Sequence, residues 1–298
     1  MATVFNDTLF AQTAFQQLVD LLLPLRAFST DISSDVKSEG SAVIVPLFGN
    51  ATTTTFTQGA TVMEQTGGLI SAVTVTLDKR KITPVSLTHQ QLAESSNAGR
   101  WDKWAYQLGK SMGATVLADI MSLITTTNFG SAIITTASAS YTKTQLIEAR
   151  RQLRAAGAKG EYSFIGNTVI EGALLGDTNL VNYFNRGDTQ AIKEGQLGKL
   201  FGMEVYGSDI IPGNSASITG FACGQDAIAF ASRSLGQYLP AEDYIAIEEM
   251  VDDESGLSAL YTRHYSRASG TYFANMHMLY GYSTAVTNAL KVFTTPTT

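Results

Sequence analysis

Two strand-like segments, residues 41–46 and 70–77, bracket a threonine-rich excursion from Gly49 to Gly68 whose one charged residue is Glu64. Hairpin loops are usually about two to five residues long, and much longer ones are functional or disordered. A tail kept in solution by its charge would carry more of it. The excursion therefore reads as an arm that rests on another body, most simply a neighbouring subunit. The strand that follows alternates: Val73, Val75 and Leu77 share one face, Thr74 and Thr76 the other. The run continues through Lys79, Arg80 and Lys81 to Pro84–Thr88, and its one polar face suits an antiparallel pair with one side exposed.

Composition supports association. Charged residues make up 15% of the 298-residue chain, against about 25% in typical soluble domains. A net charge of only −6 leaves a low-charge surface, and such surfaces tend to associate. The length allows one large domain or two smaller ones. A pI of about 5.1 argues against nucleic acid as the main ligand. The single Cys223 excludes an intrachain disulfide framework and a multi-cysteine metal cluster. The N-terminus shows no signal-peptide pattern, and no apolar run reaches the ~18 residues that span a bilayer.

Residues 8–23 predict a helix capped by Asp7 or Thr8 and ended by Pro24, with an apolar stripe that includes Phe10, Phe15, Leu18 and Leu22. The polar sequence up to Gly40 suggests that this helix stands away from the main body. Residues 100–125 carry the strongest helical periodicity. Trp101, Trp104, Leu108 and Met112 are expected to pack it, over about seven turns and roughly 40 Å. A second helix over 142–156 begins with a capping box at Thr142 and Gln145 and ends before Gly157. A strand at Tyr162–Ile165 and a helix over 168–175 capped by Asn167 follow. From about 160 to 250, short apolar pieces alternate with glycines, which reads as a compact α/β subdomain. Within it, Asp226–Ala231 fits a short helix or a strand. Strands from Leu257 onward, with a turn at Arg267–Gly270, form a β-rich tail.

Chemistry-bearing motifs are sparse. His89, His264 and His277 lie in no metal-ligand spacing, and no nucleophile elbow occurs. The segment Gly195–Gly202 fails the spacing of a phosphate loop, since Leu200 follows Lys199; tight turns explain its glycines better. Glu248, Glu249, Asp252, Asp253 and Glu254 form an acidic cluster without the alternation of a calcium loop. A solvated turn is its default reading, and a divalent-ion site at a subunit contact the alternative. Lys79–Lys81 and the group Arg150, Arg151 and Arg154 are too small for a nucleic-acid stripe. No catalytic residue, cofactor or metal ligand is assigned.

The order of elements resembles the major capsid proteins of tailed bacteriophages, the HK97-like α+β fold. The resemblance rests on Thr74–Leu87, the Trp101–Ile124 helix, Gly198–Asp209 and Phe221–Phe230, and it spans nearly the whole chain. It implies an N-arm at 1–40, an extended E-loop hairpin with flanking strands at 41–90, and a P-domain at 91–160 containing the 100–125 spine helix. An A-domain at 161–250 and a return to the P-domain at 251–298 would follow. It further implies a non-enzymatic subunit that assembles as hexamers and pentamers into an icosahedral shell around phage double-stranded DNA. Such a shell forms in the bacterial host cytoplasm and resides in the virion. Its partners would be copies of itself and a portal protein, with a decoration protein left open by the sequence, packaged DNA touched only by weak non-specific proximity and no membrane. Contacts between subunits would use Thr52, Thr54, Phe56, Thr57, Val62 and Met63 at the E-loop tip and Phe10, Phe15, Leu18 and Leu22 on the N-arm. Some family members cross-link through an E-loop lysine; residues 47–68 contain none, so a non-covalent shell is expected. Others carry a helical scaffolding segment ahead of the N-arm; none precedes it here, so a separate scaffolding protein, or assembly without one, is expected. An encapsulin-like compartment shares the fold and is the near alternative. An α/β enzyme with a nucleotide site at Gly195–Gly202 is the distant one.

Overall fold

The computed structural model describes residues 6–31, 42–48, 70–88, 101–177, 198–211, 217–235, 239–252 and 256–295. Helix α1, Asp7–Leu22, opens the described chain. Its cap is Asn6, whose side chain accepts from the Leu9 amide at 3.2 Å. Asp7 is not the cap, because distant groups claim its carboxylate: Tyr261 Oη donates to one oxygen at 3.0 Å, and Arg263 pairs with the other at 2.8 Å. Burial pushes the Asp7 carboxyl up, and Arg263 and Tyr261 offset part of that rise.

Helix α2, Trp101–Met121, has 21 residues, about 30 Å at 1.5 Å each, shorter than the periodicity suggests. Past Met121 the amides of Leu123 and Ile124 reach back three residues, tightening the helix end. Thr125 then caps a single turn, Thr126–Phe129, and Asn128 Nδ2 bonds the Leu123 carbonyl at 2.7 Å. Helix α1 packs directly on α2. Gly109 and Gly113, one turn apart, make the notch: a Cβ at Gly109 would lie 2.0 Å from the Ala14 carbonyl oxygen, and one at Gly113 would meet Leu21 at 3.0 Å. The expectation that the first helix stands away from the body is therefore corrected, since the α2 glycines allow backbone approach that no apolar count reveals.

Among the described residues, two larger sheets and a two-stranded ribbon follow. The first sheet contains β1 (Ser29–Asp31), β4 (Lys79–Thr88), β9 (Ile228–Arg233), β10 (Ala246–Val251), β11 (Ser258–Ser266) and β12 (Thr271–Thr284). Its centre is the 14-residue β12. β4 pairs along one edge, from Thr271↔Thr88 to Tyr280↔Lys79; β11 and then β9 share the other. Alternate β12 residues, Ala274, Met276, Met278 and Tyr280, join the core with α1 and α2. Tyr280 and Lys81 both bond Asp119 of α2. Burial alone would raise the Asp119 carboxyl, but these two donors outweigh it and hold the group below its ordinary value.

The second sheet runs β13 (Leu290–Thr294), β8 (Ile218–Gly224), β5 (Tyr162–Gly166), β7 (Met203–Gly207), β6 (Lys199–Leu200). Helix α3, Lys143–Ala155, starts on the anticipated capping box: Gln145 accepts from the Thr142 amide at 2.9 Å and Thr142 from the Thr144 amide at 3.4 Å. Gly157 takes the left-handed conformation after it, φ 72°. Helix α4, Thr168–Leu175, is capped by Asn167, which accepts from Ile170 at 2.9 Å. Every residue of β8 is buried. Its alternate side chains serve two cores, Phe221 and Cys223 the one shared with α1 and α2, Ala222 the one under α3 and α4. The sheets cut across the 160–250 segment: β9 and β10 join the first sheet, and the second is completed by the C-terminal β13. Asp226–Ala231 resolves as turn and strand.

Candidate functional site

The ribbon pairs β2 (Ala42–Phe48) with β3 (Ile70–Thr76), in register from Ala42↔Thr76 to Phe48↔Ile70. That register sorts its side chains by face. Val43, Val45 and Val75, with Leu77 just past the strand, pack on Ala229 and Ala231 of β9. Small residues are needed beneath it. At Gly281, which pairs with Ala231, a Cβ would lie 2.0 Å from the Thr76 carbonyl oxygen, so the ribbon crosses β12 backbone to backbone. The opposite face carries Ala42, Ile44, Pro46, Ala72, Thr74 and Thr76, all exposed and none charged. Ile44 is 67% exposed and Ile70, on the same face, 60%. The ribbon leads into residues 49–69, so Thr52, Thr54, Phe56, Thr57, Val62 and Met63 lie outside the described residues.

The sequence assigns Phe10, Phe15, Leu18 and Leu22 to contact between subunits. The structure spends them within the chain: Phe10, Leu18 and Leu22 are buried in the core with α2, and half-buried Phe15 packs against it. Phe10 also meets the Tyr261 ring at 5.6 Å. The same core receives the α2 set, with Leu108 and Met112 buried and Trp101 and Trp104 half-buried, edge to face at 5.3 Å. Ile44 is not among the contact residues that the sequence assigns. Its alternation with Val43 and Val45 was a usable signal, but which face would be covered was not legible.

Among the described residues, no group of three or more His, Cys, Asp or Glu could hold a metal. Glu248 and Glu249 occupy successive, opposite-facing positions of β10 rather than a turn, and accept from Thr8 and Ser234 respectively, each at 3.0 Å. Residues 253–255 lie outside the described part. The glycine-rich 198–202 segment forms a two-residue hairpin loop. Phe201 (φ 50°) and Gly202 (φ 73°) take the left-handed geometry of such a turn. The Arg150 guanidinium bonds the Phe201 carbonyl and covers Gly202. Cys223 is fully buried against the Ala27 and Ser163 carbonyls, and burial pushes its thiol up, away from the reactive thiolate. No described helix is long and apolar enough to cross a membrane.

No family model and no curated protein sequence matches the chain. Solved structures do. A chain of the cyanophage Pam1 capsid asymmetric unit aligns over 92% of this chain and 92% of its own, at 13% identity and a TM-score of 0.56. The capsid of an empty GTA particle aligns over 100% of this chain and 93% of its own, at 14% identity and 0.55. The mature capsid of bacteriophage PhiM1 aligns over 92% and 87%, at 12% identity and 0.53. At these identities the likeness is one of architecture, and it takes in most of the length of both chains in each case: the chain has the fold of phage and GTA capsid chains.

Proposed function

We propose that this protein is a major capsid protein, a structural subunit that assembles with copies of itself into the shell of a phage particle. The observation that carries the reading is the match to capsid chains over most of the length of both partners. The ribbon supports it: a two-stranded element with one apolar face seated on its own sheet and one uncharged face turned outward. In this reading α2 is the spine helix, and the first sheet with α1 and α2 is the P-domain. The second sheet with α3 and α4 is the A-domain, and the ribbon is the root of an E-loop that reaches over the adjacent subunit through backbone pairing and apolar contact. Hexamers and pentamers would close around double-stranded DNA, with a portal protein as partner, a separate scaffolding protein or none directing assembly, and a decoration protein left open. Assembly would take place in the bacterial cytoplasm.

Electron microscopy of the expressed protein tests this. Closed shells, or free hexamers and pentamers, are expected. A stable dimer or trimer under all assembly conditions would sink the proposal.

A further inference from the structure

One buried titratable group has no part in the capsid reading. His277 lies on the β12 face opposite α1 and α2, only 7% exposed. It stands between Ile82 of β4 and Leu260 of β11. Its Nε2 meets Thr262 Oγ1 at 2.9 Å, and its Nδ1 is buried with no partner among the described residues. A neutral imidazole can leave one nitrogen bare at modest cost. A charged one must bury an additional N–H donor and a full charge.

The surroundings oppose that charge. Arg80 of β4 pairs with Leu279, one step along the same face, and His264 of β11 bonds Asn275 at 3.4 Å while stacking on Phe273. Arg233 of β9 faces the same way, opposite Leu279. The carboxylate that this register places on that face, Glu249 of β10, sits across β11 opposite Leu260, two strand spacings or about 10 Å away. It already accepts from Ser234.

We propose that His277 is an acid-sensitive lock on the β4–β12 seam, neutral when closed and forced open when protonated. β4 is the strand from which the ribbon departs, through Leu77 and Asp78, so loosening the seam frees the ribbon's root from the sheet. Burial, helped by Arg80 and His264, lowers the imidazole to about 4 from 6.5. The sign follows: the opened state takes up the proton more readily, so the seam is tightest above pH 6.5 and weakens as pH falls toward 4.

The test is hydrogen exchange of the β4 amides in the full-length subunit, expressed as protection factors at pH 7 and pH 4.5. β4 protection should fall by up to about a hundredfold, the linkage expected of that lowered imidazole, while α3 and β5 keep theirs. His277→Gln, neutral at both pH values and able to bond Thr262, should show a flat profile. Equal pH dependence in both proteins, or none in the wild type, overturns the proposal. Should the variant not fold, the wild-type imidazole decides by NMR titration: a value well below 6 supports the lock, and an ordinary value overturns it.

Discussion

The second sheet and the ribbon are both built from short, apolar strands, but they end in opposite conditions. In the sheet, β5 and β8 are covered on both faces, one by the core under α3 and α4 and the other by the core around α1 and α2. The ribbon is covered on one face, where Val43, Val45 and Val75 meet Ala229 and Ala231, and bare on the other. The first region satisfies its apolar surface within the chain. The second does so only if another surface covers Ile44 and Ile70. Stability therefore resides in the sheet, and in the proposed reading assembly would draw on the ribbon.

The sharpest way to break this comparison is in the sheet. Phe164 is fully buried, stacked on Phe293 at 5.2 Å and beside Tyr141. Phe164→Ala should cost about 3–5 kcal/mol in denaturant unfolding and abolish assembly through misfolding. A loss under ~1 kcal/mol would show that this core is not self-sufficient. Gly281→Ala acts at the junction, where its methyl meets the Thr76 carbonyl. It should cost about 1–3 kcal/mol, with amide protection lost in β2 and β3 but kept in β5 and β8. Uniform loss across both regions would mean that ribbon and sheet unfold as one. The smallest stability effect belongs to Ile44→Ser. The exposed position should change subunit stability by no more than about 0.5 kcal/mol yet markedly lower particle yield by electron microscopy. Normal yield would remove the outer ribbon face from the assembly argument.

Legibility tracks the range of the interaction. Thr142 with Gln145, and Asn167, announce α3 and α4 because donor and acceptor lie within three residues of each other. The start of α1 misleads for the converse reason. Asp7 is a good cap by type, yet Tyr261, 254 positions along the chain, takes its carboxylate and leaves the cap to Asn6. The assignment of α1 to a detached arm fails likewise, because polar sequence between elements says nothing about where the preceding element docks.

What the amino-acid order determined alone is local and periodic: helix starts, strand alternation, an uncharged excursion between two strands, and the absence of any recognisable catalytic motif. These depend on hydrogen bonds and side-chain periods that close within a few residues. The tertiary structure decided which of two apolar faces would be covered. It seated α1 in the Gly109–Gly113 notch, passed the ribbon over Gly281, and sent β9 to one sheet and β13 to the other. Those outcomes depend on steric room between distant backbones, and a glycine's missing side chain becomes information only when something is packed against it.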